Sequence, residues 1–169
     1  MQFLGLVCAL LVKNSSHPRC VVVALGSNLG SREDHLYYAV SRLRECLGDV
    51  RVSQFVETQP EGVPQQPLFL NAVAVGWSSQ EPVELLESLQ TIELERGRER
   101  PWVGAPRTLD MDLILVGSLI IMTNRISVPH PRFRARRFVL EPLVEVAPEV
   151  VDPVTNQTAR ELLDQMDMV

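Results

Sequence analysis

An α+β fold, with an antiparallel sheet and helices packed on it, is predicted from three observations. Short β-branched runs alternate with stretches of helical apolar period, in the order strand, helix, strand, strand, helix, strand. Pro, Gly, Ser and Asn clusters separate them. The 169 residues suit one compact domain rather than two.

The elements follow in order. Cys20 to Leu25 reads as a buried strand ended by the turn Gly26-Ser27-Asn28-Leu29-Gly30. Ser31 is the expected N-cap of a helix in which Leu36, Val40, Leu43 and Leu47 recur until Gly48. Val50 to Val56 is the second strand, and a proline-rich loop runs from Thr58 to Pro67. Leu68 to Trp77 is the third strand. Pro82 opens a second helix that ends at Gly97, with Val83, Leu86, Leu89 and Leu94 toward the sheet and Gln90 and Glu93 on a neighbouring face. Thr108 to Val116 is the fourth strand, followed by a short hairpin at Gly117-Ser118 and Leu119 to Ile121. A basic loop spans Pro129 to Arg137, and Phe138 to Val146 and Ala159 to Met166 are helical. This order is that of a split βαβ or ferredoxin-like sheet, in a three-layer αβα arrangement.

Charge narrows the possible functions. A net charge of −5 excludes a surface built as a whole to neutralise nucleic-acid phosphates, so any polyanion site is local. Cys8, Cys20 and Cys46 are odd in number and lack metal or redox spacing, which suits reduced thiols in a cytoplasmic chain. Met1 to Val12 is apolar, but no basic residue precedes it, it is too short to span a bilayer, and no small-residue cleavage site follows. Residues 1–19 are therefore expected to be a dispensable extension and 20–169 the functional domain, with no membrane role and no nucleic-acid partner.

The chemistry concentrates in Arg107-Thr108-Leu109-Asp110-Met111-Asp112. Asp110 and Asp112 lie two apart on a strand, so both carboxylates point to one face, where like charges repel unless a cation intervenes. Hard carboxylate oxygens suit magnesium. Alone, an Asp-x-Asp is weak evidence. Here Arg98, Arg100 and Arg107 lie upstream, and His130, Arg132, Arg134, Arg136 and Arg137 downstream, in an acidic chain. Guanidinium groups bind phosphate oxygens bidentately, and phosphoryl transfer rests on positioning and charge neutralisation. The residues thus point to a magnesium–nucleotide site, with Arg132 and Arg137 expected in surface ion pairs. Asn71 offers an amide to a planar heterocycle that Phe69 and Phe138 would sandwich. The Gly26–Gly30 turn lacks the lysine of a phosphate loop and reads as turn chemistry.

These residues resemble the 6-hydroxymethyl-7,8-dihydropterin pyrophosphokinase family over about Val21 to Met166. The ordered markers are Ala24-Leu25-Gly26-Ser27-Asn28-Leu29-Gly30, Phe69-Leu70-Asn71-Ala72, Ile92-Glu93 with Gly97-Arg98-Glu99-Arg100, Pro106 to Asp112, and Val128-Pro129-His130-Pro131-Arg132. The resemblance implies transfer of the pyrophosphoryl group of ATP to the pterin hydroxymethyl oxygen, releasing AMP, in folate biosynthesis. It implies that Asp110 and Asp112 hold two magnesium ions, and that Arg98 and Arg107 bind the phosphates of the co-substrate ATP. Gln90 and Glu93 would help place the nucleotide, and Arg100, His130 and Arg136 would add ATP contacts. Thr58, Asn71 and Phe138 would read and stack the pterin, with Phe69 at the position of a family aromatic. A monomer acting on these small molecules is expected. Trp102-Val103-Gly104-Ala105-Pro106-Arg107 departs from the Trp-Gly-Pro-Arg of many relatives, and Gln59 and Glu61 replace a proline and an apolar residue. A magnesium-dependent nucleotidyltransferase and a non-catalytic ferredoxin-like ligand-binding module are the alternatives.

Overall fold

The computed structural model describes residues 17–62, 65–99 and 101–168. Strand β1 (Arg19–Ser27) leads to helix α1 (Arg32–Leu47), then β2 (Arg51–Val52), β3 (Val56–Thr58) and β4 (Phe69–Ser78). Helix α2 (Pro82–Glu95) precedes β5 (Asp110–Val116), the hairpin β6 (Ile121–Met122) and β7 (Ser127–Val128), and α3 (Arg137–Val146). A second hairpin, β8 (Val151–Asp152) and β9 (Gln157–Thr158), leads into α4 (Ala159–Asp167).

The main sheet is ordered β2-β4-β1-β5, with β3 also on β4, and every pairing is antiparallel. Each βαβ unit is split by a strand of the other, as the element order predicts. Strand alternation sorts the core onto two faces. Val21, Val23, Leu25, Ala72, Ala74, Met111 and Leu113 pack with residues of α1 and α2. Val22, Ala24, Val73, Val75, Ile114 and Leu115 pack with α3 and α4. The three layers are therefore α1/α2, sheet, α3/α4.

Several expectations need correction. The second strand is two short strands, because Ser53 breaks it: its Oγ accepts the Val73 N–H at 3.0 Å, and the next N–H, of Gln54, goes to the Glu145 carboxylate of α3 at 3.1 Å. On α2 the buried positions are Pro82, Leu85, Leu89, Ile92 and Glu93, whereas Leu94 is 69% exposed. The apolar stripe is thus rotated from the one expected, Val83 and Leu86 lying at its half-buried edge. The hairpin after Gly117 pairs β6 with β7, and the β8–β9 hairpin was not foreseen. Ser31 occupies the N-cap of α1, but its hydroxyl donates to Asp34 Oδ2 at 2.6 Å instead of capping the backbone. The boundary at residue 20 cuts β1, since Arg19 pairs with Ser78 and donates to the Gln80 carbonyl at 2.8 Å. Residues 1–16 of the expected extension, Cys8 among them, lie outside the described residues.

Candidate active site

The site begins as a row of residues across the sheet. Pairing aligns Val56 with Asn71, Asn71 with Gly26, and Gly26 with Asp110, while Ala24 aligns with Asp112. Facing pairs of an antiparallel ladder share a side, so the carboxylates and the Asn71 amide stand on the α3/α4 face, beyond the part those helices cover. Gly26 and Ala24 keep the floor between them low. A Cβ on Gly26 would lie 3.0 Å from Asn71 Oδ1 and 3.5 Å from Phe69 Cδ1. The register shifts between Val22 and Val23, leaving Ile114 as an extra residue on β5. Its carbonyl then takes the His130 N–H at 2.9 Å, which moors the basic loop beside the carboxylates.

Above this floor lies a cavity of about 710 Å³. Across its floor β3 and β4 bring Thr58, Phe69 and Asn71 to one side and β5 brings Asp110 and Asp112 to the other, and Arg98, Arg107, Arg136 and Phe138 also line it. Asn71 Nδ2 donates to Thr58 Oγ1 at 2.6 Å, so the two are already locked together. Each Phe lies beside an arginine: the Arg107 guanidinium is 5.5 Å from the Phe69 ring centre, and that of Arg136 5.4 Å from Phe138.

The charged residues form an interleaved set of ion pairs. Asp110 binds Arg98 at 2.7 Å and Arg107 at 3.0 Å, and Asp112 binds Arg136 at 3.1 Å. Arg98 is also held by Glu93, which accepts the Met111 N–H on the outer edge of β5 at 2.6 Å. Glu93 is 4% exposed and does not line the cavity; it aims Arg98 from behind. Arg98, Arg107 and Arg136 each keep a buried Nε–H without a hydrogen-bond acceptor among the described residues.

His130 Nε2 lies 3.7 Å from Asp112. Its Nδ1 accepts the Arg132 N–H at 3.2 Å, which leaves the ring proton on Nε2, toward the carboxylate. Burial pushes the His130 pKa down, Asp112 opposes this, and Arg136 and Arg132 reinforce it, so the imidazole is neutral at pH 7.

Two loops are fastened at Asn28, which is 1% exposed. Its N–H donates to the Arg107 carbonyl at 3.1 Å, and its Oδ1 accepts the Arg107 N–H at 2.8 Å. Its Nδ2 reaches Gln66 Oε1 at 3.0 Å, and Gln66 in turn donates to the Gly104 carbonyl at 2.6 Å. The Gly26–Gly30 turn is therefore a clasp for the segments around residues 66 and 107.

Gln90 is exposed on α2 and is not among the residues lining the cavity. Arg100 falls outside the described residues. Arg137 forms the expected surface pair, with Glu141 at 3.0 Å, but Arg132 forms no ion pair among the described residues and lines the cavity instead. Arg134 is bound by the buried Asp152 at 2.6 Å. Glu61, singled out in the sequence as a departure from the family pattern, lines the cavity 3.7 Å from Arg136, a pairing the sequence did not predict, and Trp102, left without a place, lines it too.

A sequence model of the family described as 7,8-dihydro-6-hydroxymethylpterin-pyrophosphokinase (HPPK) matches residues 22–148, a stretch that contains every residue lining the cavity. The chain belongs to this family. Among its curated relatives is the 2-amino-4-hydroxy-6-hydroxymethyldihydropteridine pyrophosphokinase of Bacillus subtilis (strain 168), 42% identical over 136 residues, which covers 79% of this chain and 81% of that protein. The Haemophilus influenzae enzyme of the same name is 38% identical, covering 85% and 90% respectively. A solved structure of Plasmodium falciparum HPPK-DHPS shares the fold, with a TM-score of 0.72 at 15% identity. The match covers 88% of this chain and 45% of that one, so the HPPK fold here spans under half of the Plasmodium chain.

Proposed function

We propose that this chain transfers the pyrophosphoryl group of ATP to the hydroxymethyl oxygen of 6-hydroxymethyl-7,8-dihydropterin, giving the pterin diphosphate and AMP in folate biosynthesis. The observation that carries this reading is that one cavity holds the Thr58–Asn71 pair and Phe69 on its β3/β4 side and the arginine-paired carboxylates Asp110 and Asp112 on its β5 side. A flat, hydrogen-bonding heterocycle suits the first, and a polyphosphate suits the second. Membership of the family supports the same reaction. Thr58 and Asn71 would read the pterin edge, with Phe69 and Phe138 against its faces.

The pterin hydroxyl oxygen attacks the β-phosphorus in line and loses its proton to water, the bond from that phosphorus to the α,β-bridging oxygen breaks, and AMP leaves. Arg98, Arg107 and Arg136 are held beside the phosphate path by the carboxylates they neutralise. As the nucleotide arrives, each guanidinium exchanges a carboxylate oxygen for a phosphate oxygen. His130, neutral and with its Nε2 proton facing the same region, is a further donor. Arg100 and Gln90 remain nucleotide contacts in this proposal, and Glu93 contributes by orienting Arg98.

Asp110 and Asp112 are the oxygen ligands on hand for magnesium, and among the described residues no group of three or more His, Cys, Asp or Glu side chains forms a cage for a metal. Two carboxylates fit an ion whose other ligands are nucleotide phosphates and water, which is how magnesium is held in such sites. Two magnesium ions there would offset charge on the phosphate oxygens. Asp110→Ala is expected to remove most turnover and to raise the magnesium concentration needed for what remains. Unchanged turnover of that variant at limiting magnesium contradicts the assignment.

We further propose that residues 19–169 suffice for catalysis, as a monomer in the cytoplasm. No helix among the described residues is long and apolar enough to cross a membrane.

A further inference from the structure

We infer that Arg132 is an additional nucleotide-binding residue, one that meets the triphosphate as an unpaired cation at the mouth of the cavity. This rests on the ATP reading above. The other arginines described along the cavity all have carboxylate partners: Arg98 with Glu93 and Asp110, Arg107 with Asp110, and Arg136 with Asp112 and Glu61. Arg132 lines the same cavity and is exposed, and among the described residues its guanidinium has neither an ion pair nor a hydrogen bond. An arriving polyanion must break an existing pair to engage the first three. At Arg132 it meets full positive charge with nothing to displace.

The position of Arg132 is built rather than incidental. Its backbone N–H is tied to His130 Nδ1 at 3.2 Å, and the His130 N–H is tied to the Ile114 carbonyl at 2.9 Å. On its other side the Ala135 N–H donates to the Arg132 carbonyl at 3.2 Å, and the turn continues into Arg136, which grips Asp112. The residue is thus fixed between two groups that face Asp112. Other exposed arginines without a partner among the described residues, such as Arg160 on α4, lie away from the cavity and serve as a control for net charge.

The test is calorimetric binding of α,β-methylene ATP with magnesium to the full chain, together with steady-state kinetics. Arg132→Gln is expected to raise the Kd about 10-fold, the loss of one charge-assisted contact, and to flatten its dependence on salt. The KM for ATP rises with it, while kcat and the KM for the pterin stay within about twofold. Arg132→Lys, which keeps the charge but not the fork, falls between the two, and Arg160→Gln matches wild type. Thermal melting of each variant confirms that it is folded. A Kd for Arg132→Gln equal to wild type, or an equal loss in Arg160→Gln, overturns the inference while leaving the pyrophosphokinase reading intact. A wild-type protein that binds no nucleotide overturns both.

Discussion

Asp110 and Asp112 were legible from the sequence because their shared side depends only on strand period, and β5 delivers it. Glu93 was named as a nucleotide contact, but its inward aim was not legible, because its contact with the Met111 N–H spans 18 positions and depends on the phase of α2. Apolar spacing alone suggested the face of Leu94, whereas the helix buries the face of Leu85, Leu89 and Ile92 and takes Glu93 in with it. Glu93→Ala would leave the Met111 N–H and the Arg98 guanidinium short of an acceptor in the interior, a cost of about 3 kcal/mol measurable by denaturant unfolding. Nucleotide affinity should fall in the same variant as Arg98 loses its aim. Gly26 was read as turn chemistry, but its lack of a side chain is what lets Asn71 and Phe69 approach. Gly26→Ala should therefore raise the KM for the pterin more than that for ATP; an equal effect on both would contradict this division of the cavity.

At the scale of elements, long periodic segments were readable and short ones were not. Helix α1 and strands β1, β4 and β5 lie within two residues of their expected ends, because buried apolar period marks them over many positions. The breaks come from long-range contacts that no local pattern carries. Ser53 and Gln54 end β2 through bonds to Val73 and to Glu145 of α3. The β8–β9 hairpin is anchored by Asp152, almost fully buried, which binds Arg134 through both carboxylate oxygens at 2.6 and 2.7 Å. Burial pushes the Asp152 carboxyl up, but the bonds from Arg134, Thr155 and the Val154 N–H outweigh it and hold its pKa below the usual value. A depressed carboxylate stabilises the fold above its unfolded value of about 3.9, and that contribution is lost as pH falls through the folded value. Asp152→Asn should melt at a lower temperature than wild type at pH 7, with the gap closing below about pH 4. A gap independent of pH would show that the ion pair adds nothing.

The whole molecule joins two apolar helical layers through a sheet whose α3/α4 face is apolar at one end and charged at the other. The net charge of −5 conceals this, because the cationic groups that matter are gathered along one cavity. The residue types at the site were visible in the sequence. How they pair was not: Arg132 was expected in a surface ion pair and has none among the described residues, while Glu61 reaches Arg136 across loops of no regular period. Ion pairing depends on how loops close over the sheet, and the bonds of Asn28 and Gln66 set that closure.

The most direct test of the account is to follow ATP labelled at both its β and γ phosphates during turnover with magnesium and 6-hydroxymethyl-7,8-dihydropterin. The account predicts that both labels move together onto the pterin and that unlabelled AMP is released, in wild type and not in Asp110→Ala. Release of labelled pyrophosphate, or formation of ADP with a single label on the pterin, would contradict it.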